Sequence, residues 1–146
     1  MRPELLLTVL ALGCRAAPDA VRAGALEIRG AYAFEPVLGD VTSAYMSIRN
    51  SGTEPDRLRG VAAADAGLVM MHQQVESGGQ TVMRHLELID IPPGTTVVFA
   101  PGGLHFMLEQ LAGPLAAGDT LDLVLHFERA GDVVVRAPVR RYGESE

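Results

Sequence analysis

From Ala25 onward, apolar and polar residues alternate with a period of two. Gly, Pro, Asn or Asp breaks the alternation roughly every eight to twelve residues. Side chains that face opposite sides in turn belong to strands, because a helix repeats every 3.6 residues. The clearest run is VTSAYMSIRNSG, where Val41, Ser43, Tyr45, Ser47 and Arg49 alternate against Thr42, Ala44, Met46, Ile48 and Asn50. Asn50-Ser51-Gly52 ends it with turn chemistry.

Further strands are expected at 26–34, 56–62, 68–74, 81–88, 95–100, 104–108, 120–128 and 132–137. Turn residues separate them at Leu38-Gly39-Asp40, Ser77-Gly78-Gly79, Pro92-Pro93-Gly94 and Pro101-Gly102-Gly103. The last two strands read as a hairpin around Arg129-Ala130-Gly131, and Ala62–Gly67 (AAADAG) is compatible with one helical turn. Many short, regularly punctuated strands predict a single all-β domain, a sandwich or a barrel.

At 146 residues and 48% hydrophobic content, such a domain buries a core without disulfide staples. The net charge is −6, the basic residues are all arginine and scattered, and Trp is absent. No basic stripe or stacking platform for nucleic acid is present. Cys14 is the sole cysteine, which excludes an intrachain disulfide and a cysteine-based zinc cluster.

Cys14 follows the apolar run Leu5–Leu12 and Gly13. The run is too short to span a bilayer as a helix but suits the apolar region of an export signal. Residues 1–22 are therefore expected to be an export or lipoprotein-type segment, and 23–146 the folded domain. Export to the periplasm or cell envelope follows. Membrane contact is expected only through a lipid anchor at Cys14.

Imidazole and sulfur are unevenly placed. Met70, Met71 and His72 lie on one expected strand, Met83 and His85 on the next, and His105 and Met107 on a third. His105 and Met107, two apart just after a Pro-Gly-Gly turn, point to one face. A hairpin centred on Ser77-Gly78 puts His72 across from Met83; a two-residue Gly78-Gly79 turn puts it across from His85. Both registers keep all three on one face.

Soft, neutral thioethers select Cu(I), and imidazole accepts copper in either oxidation state. Without a cysteine in the domain a blue-copper site is excluded, and thioethers argue against catalytic zinc. The competing reading is packing, since a strand methionine is usually core filler; Met46 reads that way. His126, inside LVLHFE, reads as an ordinary surface or hydrogen-bonded histidine.

The spacing His72-x10-Met83-x21-His105-x-Met107 resembles the H-x10-M-x21-H-x-M pattern of the PCu(A)C-type periplasmic copper chaperones. AYMSIRNSGTEPDRLRGV and IPPGTTVVFAPGGLHFMLEQLAGPLAAGDTLDLVLHFE resemble further stretches of that family, so the likeness runs from about Gly30 to Val139. It implies a cupredoxin-like, immunoglobulin-like Greek-key β-sandwich that binds Cu(I) through His72, Met83, His105 and Met107. It also implies delivery to the dinuclear copper centre of cytochrome c oxidase or to another copper-assembly protein. Two residues depart from the pattern. Met71 precedes His72 where the family often has a Met after it, and His85 stands where Pro is common. Both are second-tier ligand candidates.

The expectation is thus a copper-transfer protein, not an enzyme; no paired-carboxylate or nucleophile–base arrangement stands out. The alternatives are an exported copper storage or tolerance protein, and an immunoglobulin-like interaction module without a metal.

Overall fold

The computed structural model describes residues 20–144, so the proposed export segment and Cys14 fall almost wholly outside the described residues. The alternating runs form β1 (Val21–Ala23), β2 (Leu26–Phe34), β3 (Thr42–Asn50), β4 (Asp56–Ala63), β5 (Ala66–Ser77), β6 (Gln80–Leu86), β7 (Ile89–Ile91), β8 (Thr96–Phe99), β9 (Leu104–Leu111), β10 (Thr120–Phe127) and β11 (Gly131–Arg140). No helix occurs among the described residues. Strand β1 begins two residues ahead of the expected domain boundary.

The pairing path runs β6-β5-β9-β8-β3-β2-β11-β10-β4-β7, with β1 on β2. It makes two layers joined by β11. This strand pairs antiparallel with β10 over most of its length, then runs parallel to β2 through Val139 and Arg140. One core lies between the layers. From one side come Ile28, Ala44, Ile48, Phe106 and Leu108; from the other, Leu58, Leu121, Leu123, Leu125 and Val135. The all-β sandwich follows from strands such as β2, β4, β10 and β11 burying alternate residues between the layers.

Ala62–Gly67 does not form the helical turn its composition permits. Strand β4 continues to Ala63, and Ala66 is already paired with Leu111. The Asp65 carbonyl accepts the Ala112 N–H at 2.8 Å. Ladder pairing uses the backbone groups a helical turn would need, and the segment carries the chain between layers as a tight turn.

A bulge in β2 matters for the exposed face. Arg29 pairs with Ser47 but Tyr32 pairs with Tyr45, so β2 holds one extra residue there. Gly30 takes it up with φ of 62°, in a region costly for residues with a Cβ. The phase of the strand reverses: Leu26 and Ile28 face the core before the bulge, Ala31 and Ala33 after it. Tyr32 and Phe34 are thereby turned outward. Their rings meet Tyr45 at centroid distances of 5.2 and 5.8 Å, and the Arg140 guanidinium sits 4.4 Å over Tyr32. This aromatic group shares the outer face with β9, because Tyr45 and Ser43 lie on one face of β3 and Ser43 is directly opposite Met107.

Candidate metal centre

The three strands carrying His and Met lie side by side at one end of the pairing path, with β5 between β6 and β9. The β5–β6 hairpin turns at Gly78-Gly79, and Ser77 pairs with Gln80. Both glycines have positive φ, 60° and 78°, as a two-residue type I′ hairpin turn requires. Of the two registers open to the sequence, this one puts His72 across from His85 and Gln74 across from Met83. On the other flank, β9 places His105 across from His72 and Met107 across from Met70.

The outcome is a row of three imidazoles across three strands, His85, His72 and His105. The ring centroids of the outer two lie 5.6 Å from that of His72, at interplanar angles of 80° and 82°. Two residue pairs further along, Met70 and Met107 stand together on the same face. Met83 is also on this face, two pairs nearer the hairpin turn than His85 and 53% exposed. Met71 points the other way: it is 3% exposed, in the core cluster, and pairs with Phe106. This second-tier candidate is thus separated from His72 by the sheet itself, and Met70 holds the position facing the histidines. Met46 is likewise core, at 2%.

The imidazole nitrogens differ in their surroundings. His105 is 7% exposed, and its Nδ1 lies 3.1 Å from the Gly103 carbonyl. Donation of the Nδ1–H to that carbonyl fixes the tautomer and leaves Nε2 as a lone-pair donor. Gly103 in turn is held by the Ala100 carbonyl at 3.0 Å, and its own carbonyl also accepts Gln74 N–H at 3.1 Å. The Pro101-Gly102-Gly103 turn therefore anchors the ring through its backbone.

The Nδ1 of His72 is buried without a hydrogen-bond partner, which is costly for a polar atom. Burial lowers the pKa of His72, the neighbouring His105 and His85 lower it further, and Glu109 opposes them. The direction of these effects favours the neutral imidazole, the form that binds metals.

Among the described residues, no three His, Cys, Asp or Glu side chains already close around an ion-sized point. The histidines form an open row, edge to face, whose remaining neighbours are thioethers. With metal–nitrogen bonds of about 2 Å, two imidazoles on one ion have centroids roughly 5–6 Å apart. The observed spacing to His72 on either side fits that range, and the chemistry offered is neutral nitrogen plus soft sulfur.

Sequence reasoning placed His72, Met83, His85 and Met70 on one face and His105 with Met107 on one face; the β5–β9 register brings the two groups to the same side. It left out Glu109 as a neighbour of the site. Its signal was the same parity: Glu109 lies two residues from Met107 on β9.

Comparison with known proteins points the same way. The model of a family described as "Putative lipoprotein LpqE-like" matches residues 26–139. The "Putative lipoprotein Lxx21020" of Leifsonia xyli subsp. xyli (strain CTCB07) is 30% identical over 103 residues, covering 70% of this chain and 62% of the relative. The match thus spans less than two thirds of that relative's length. Among solved structures, the copper-bound PCuAC domain from PmoF2 is similar, with a TM-score of 0.72 and 30% identity over 84% of this chain and 97% of that one. The solution structure of CuI-DR1885 from Deinococcus radiodurans has a TM-score of 0.65 and 28% identity, over 92% and 87% of the two chains.

Proposed function

This chain belongs to the LpqE-like family, and on that footing we propose that it is a Cu(I)-binding copper chaperone of the cell envelope. Copper is its cargo. His72, His105 and Met107 are the donors on β5 and β9, and a further donor comes from β6, where Met83 is the family-pattern candidate.

The observation that carries this reading is His72 itself. It is an imidazole with a buried, unpaired nitrogen, flanked on both sides by imidazoles and followed along the strands by paired thioethers. The likeness to PCuAC domains described as copper-bound supports it, and the lipoprotein description of the matched family supports export.

The donor set explains how such a site would work. Thioethers bind Cu(I) without adding charge, and imidazole completes the shell. No thiolate clamps the ion, so a partner's thiolate or imidazole can displace one neutral donor at a time. The donors stand on an open sheet face, where an incoming ligand finds them one by one. The acidic net charge, −6, favours encounter with a basic partner. Binding and hand-over, rather than turnover of a substrate, is the activity. The acceptor implied by the family resemblance is the dinuclear copper centre of cytochrome c oxidase or an assembly partner.

Titration of Cu(I) against a competing chelator tests binding: one ion per chain is expected, with a large loss of affinity in His105→Ala and in Met107→Ala. Wild-type affinity in the double variant would overturn the assignment. Mixing the Cu(I) form with a soluble dinuclear-copper domain tests delivery, and retention of the copper against that acceptor would favour storage instead.

A further inference from the structure

We infer that the end of the sandwich carrying Val37, Leu38 and Tyr142 is a lipid-binding tip, a second membrane contact beside the acyl anchor expected at Cys14. This rests on the envelope reading above and gives the domain an orientation on the membrane.

Leu38 is 85% exposed, Tyr142 69% and Val37 67%, the highest values for large apolar side chains among the described residues. Single exposed apolar residues are ordinary on a protein surface, but these three stand together. With Phe34, Val41 and Tyr45 they line one cleft between the end of β2 and the start of β3. Aromatic contacts brace that cleft. The Phe34 ring meets those of Tyr45 and Tyr142 at centroid distances of 5.8 and 5.2 Å. Past the tip, Gly39 turns the chain with φ of 68°, and the Asp40 carbonyl accepts the Leu111 N–H at 3.2 Å. Val37 and Leu38 are thus carried outward on a supported turn. The opposite end differs: its turns at 50–55, 77–80, 92–95 and 101–103 hold no large exposed apolar side chain.

Chain direction points to a lipid surface as the occupant. Strand β1 runs antiparallel to β2 with Val21 level with Ile28, so β1 starts on the side nearer Phe34 and the tip. Cys14 stands seven residues before Val21. Whatever path they take, seven residues reach at most about 25 Å. The stretch of β2 from Ile28 to Phe34 spans about 20 Å. Acyl chains on Cys14 can therefore enter a bilayer that the tip also touches. Tyrosine beside aliphatic side chains suits the boundary between headgroups and acyl chains. Headgroup charge is not the attraction, because Arg141 pairs with Glu35 and Glu144 at this end and Asp40 adds a negative charge.

The orientation has a consequence for the metal face. Ser43 lines the same cleft and lies opposite Met107. The His and Met face then stands upright beside the lipid surface, offered sideways to an acceptor held in the same membrane.

The chain has no Trp, so one introduced Trp is an unambiguous reporter. Full-length Leu38→Trp and Val82→Trp are made in a host that processes lipoproteins, and acylation of Cys14 is checked by mass. Each is placed in phosphatidylcholine vesicles with and without brominated acyl chains. Val82 is an exposed position close to the β5–β6 hairpin turn, toward the opposite end. Brominated lipid should quench Leu38→Trp about twofold or more, with a blue shift, and leave Val82→Trp within about a tenth. Tyr142→Trp should be quenched likewise, and adding Val37→Asp and Leu38→Asp to it should abolish the quenching without changing Cu(I) affinity. Equal quenching at positions 38 and 82, or none at 38 in the acylated, vesicle-bound chain, overturns the inference and leaves the lipoprotein reading intact. A blue shift at 38 that brominated lipid does not quench also overturns it, in favour of a protein partner or a second copy at the tip. An unacylated Cys14 removes the lipoprotein reading and the inference with it.

Discussion

Strands β10 and β6 obey the same alternation and use it differently. In β10, Leu121, Leu123, Leu125 and Phe127 are all buried, and each intervening side chain is outside. In β6 no residue is buried, and both faces of the strand meet solvent through most of its length. The difference is one of support. Strand β10 is covered by the opposite layer, whereas β6 overhangs the core as the terminal strand of the path. Side chains on an overhang are not needed for packing. The reading of Met83 and His85 as core filler therefore fails on position alone, while Met46 and Met71, under the covered part of the sheet, fit it.

If the two regions divide the labour this way, substitutions should separate stability from copper binding. The largest effect is expected from Leu123→Ala, in the covered half between Val135 and Ala63. It should cost about 2–5 kcal/mol by chemical denaturation and leave the copper affinity of the folded protein unchanged. A parallel loss of affinity would break the division. Next, His72→Ala should lower Cu(I) affinity by about 100-fold, close to 2.7 kcal/mol. Its effect on denaturation should be small, because the residue's buried Nδ1 has no partner to lose. A large loss of stability would show that the row of rings also holds the overhang together.

Gly30→Ala sharpens the boundary between the regions. Its positive φ makes the substitution cost about 1–2 kcal/mol, although no atom lies within 4 Å of the added carbon. The loss should appear in stability, with copper affinity preserved and the tyrosine fluorescence of Tyr32 and Tyr45 altered. The smallest effect is expected from Met83→Ala, within about 0.5 kcal/mol in stability. A clear loss there would mean that β6 packs in solution more than its exposure indicates.

The alternation was enough to read most of the fold. Leu26–Phe34 is a strand at those same limits, and the hairpin around Ala130 is present. Strands β1 and β7, three residues each, are too short to show a period. The bulge at Gly30 was not read, although a lone glycine inside a strand pattern is itself a bulge signal. At the site, parity was legible: His72, Met83 and His85 fall on one face in both candidate registers, and Met71 falls on the other. Register was not. The choice between Met83 and His85 opposite His72 depends on the backbone sign at Gly78 and Gly79, and both candidate turns contain glycine.

That turn has a consequence for how such a site could diversify. Neither glycine touches a donor, yet together they act as the zero mark of a ruler laid along the hairpin. Moving the pair back by one position, with Ser77→Gly and Gly79→Ser, keeps every ligand and brings Met83 level with His72. A site's choice between nitrogen and sulfur, and with it the oxidation state it favours, can thus be rewritten at a distance by two residues with no metal chemistry of their own.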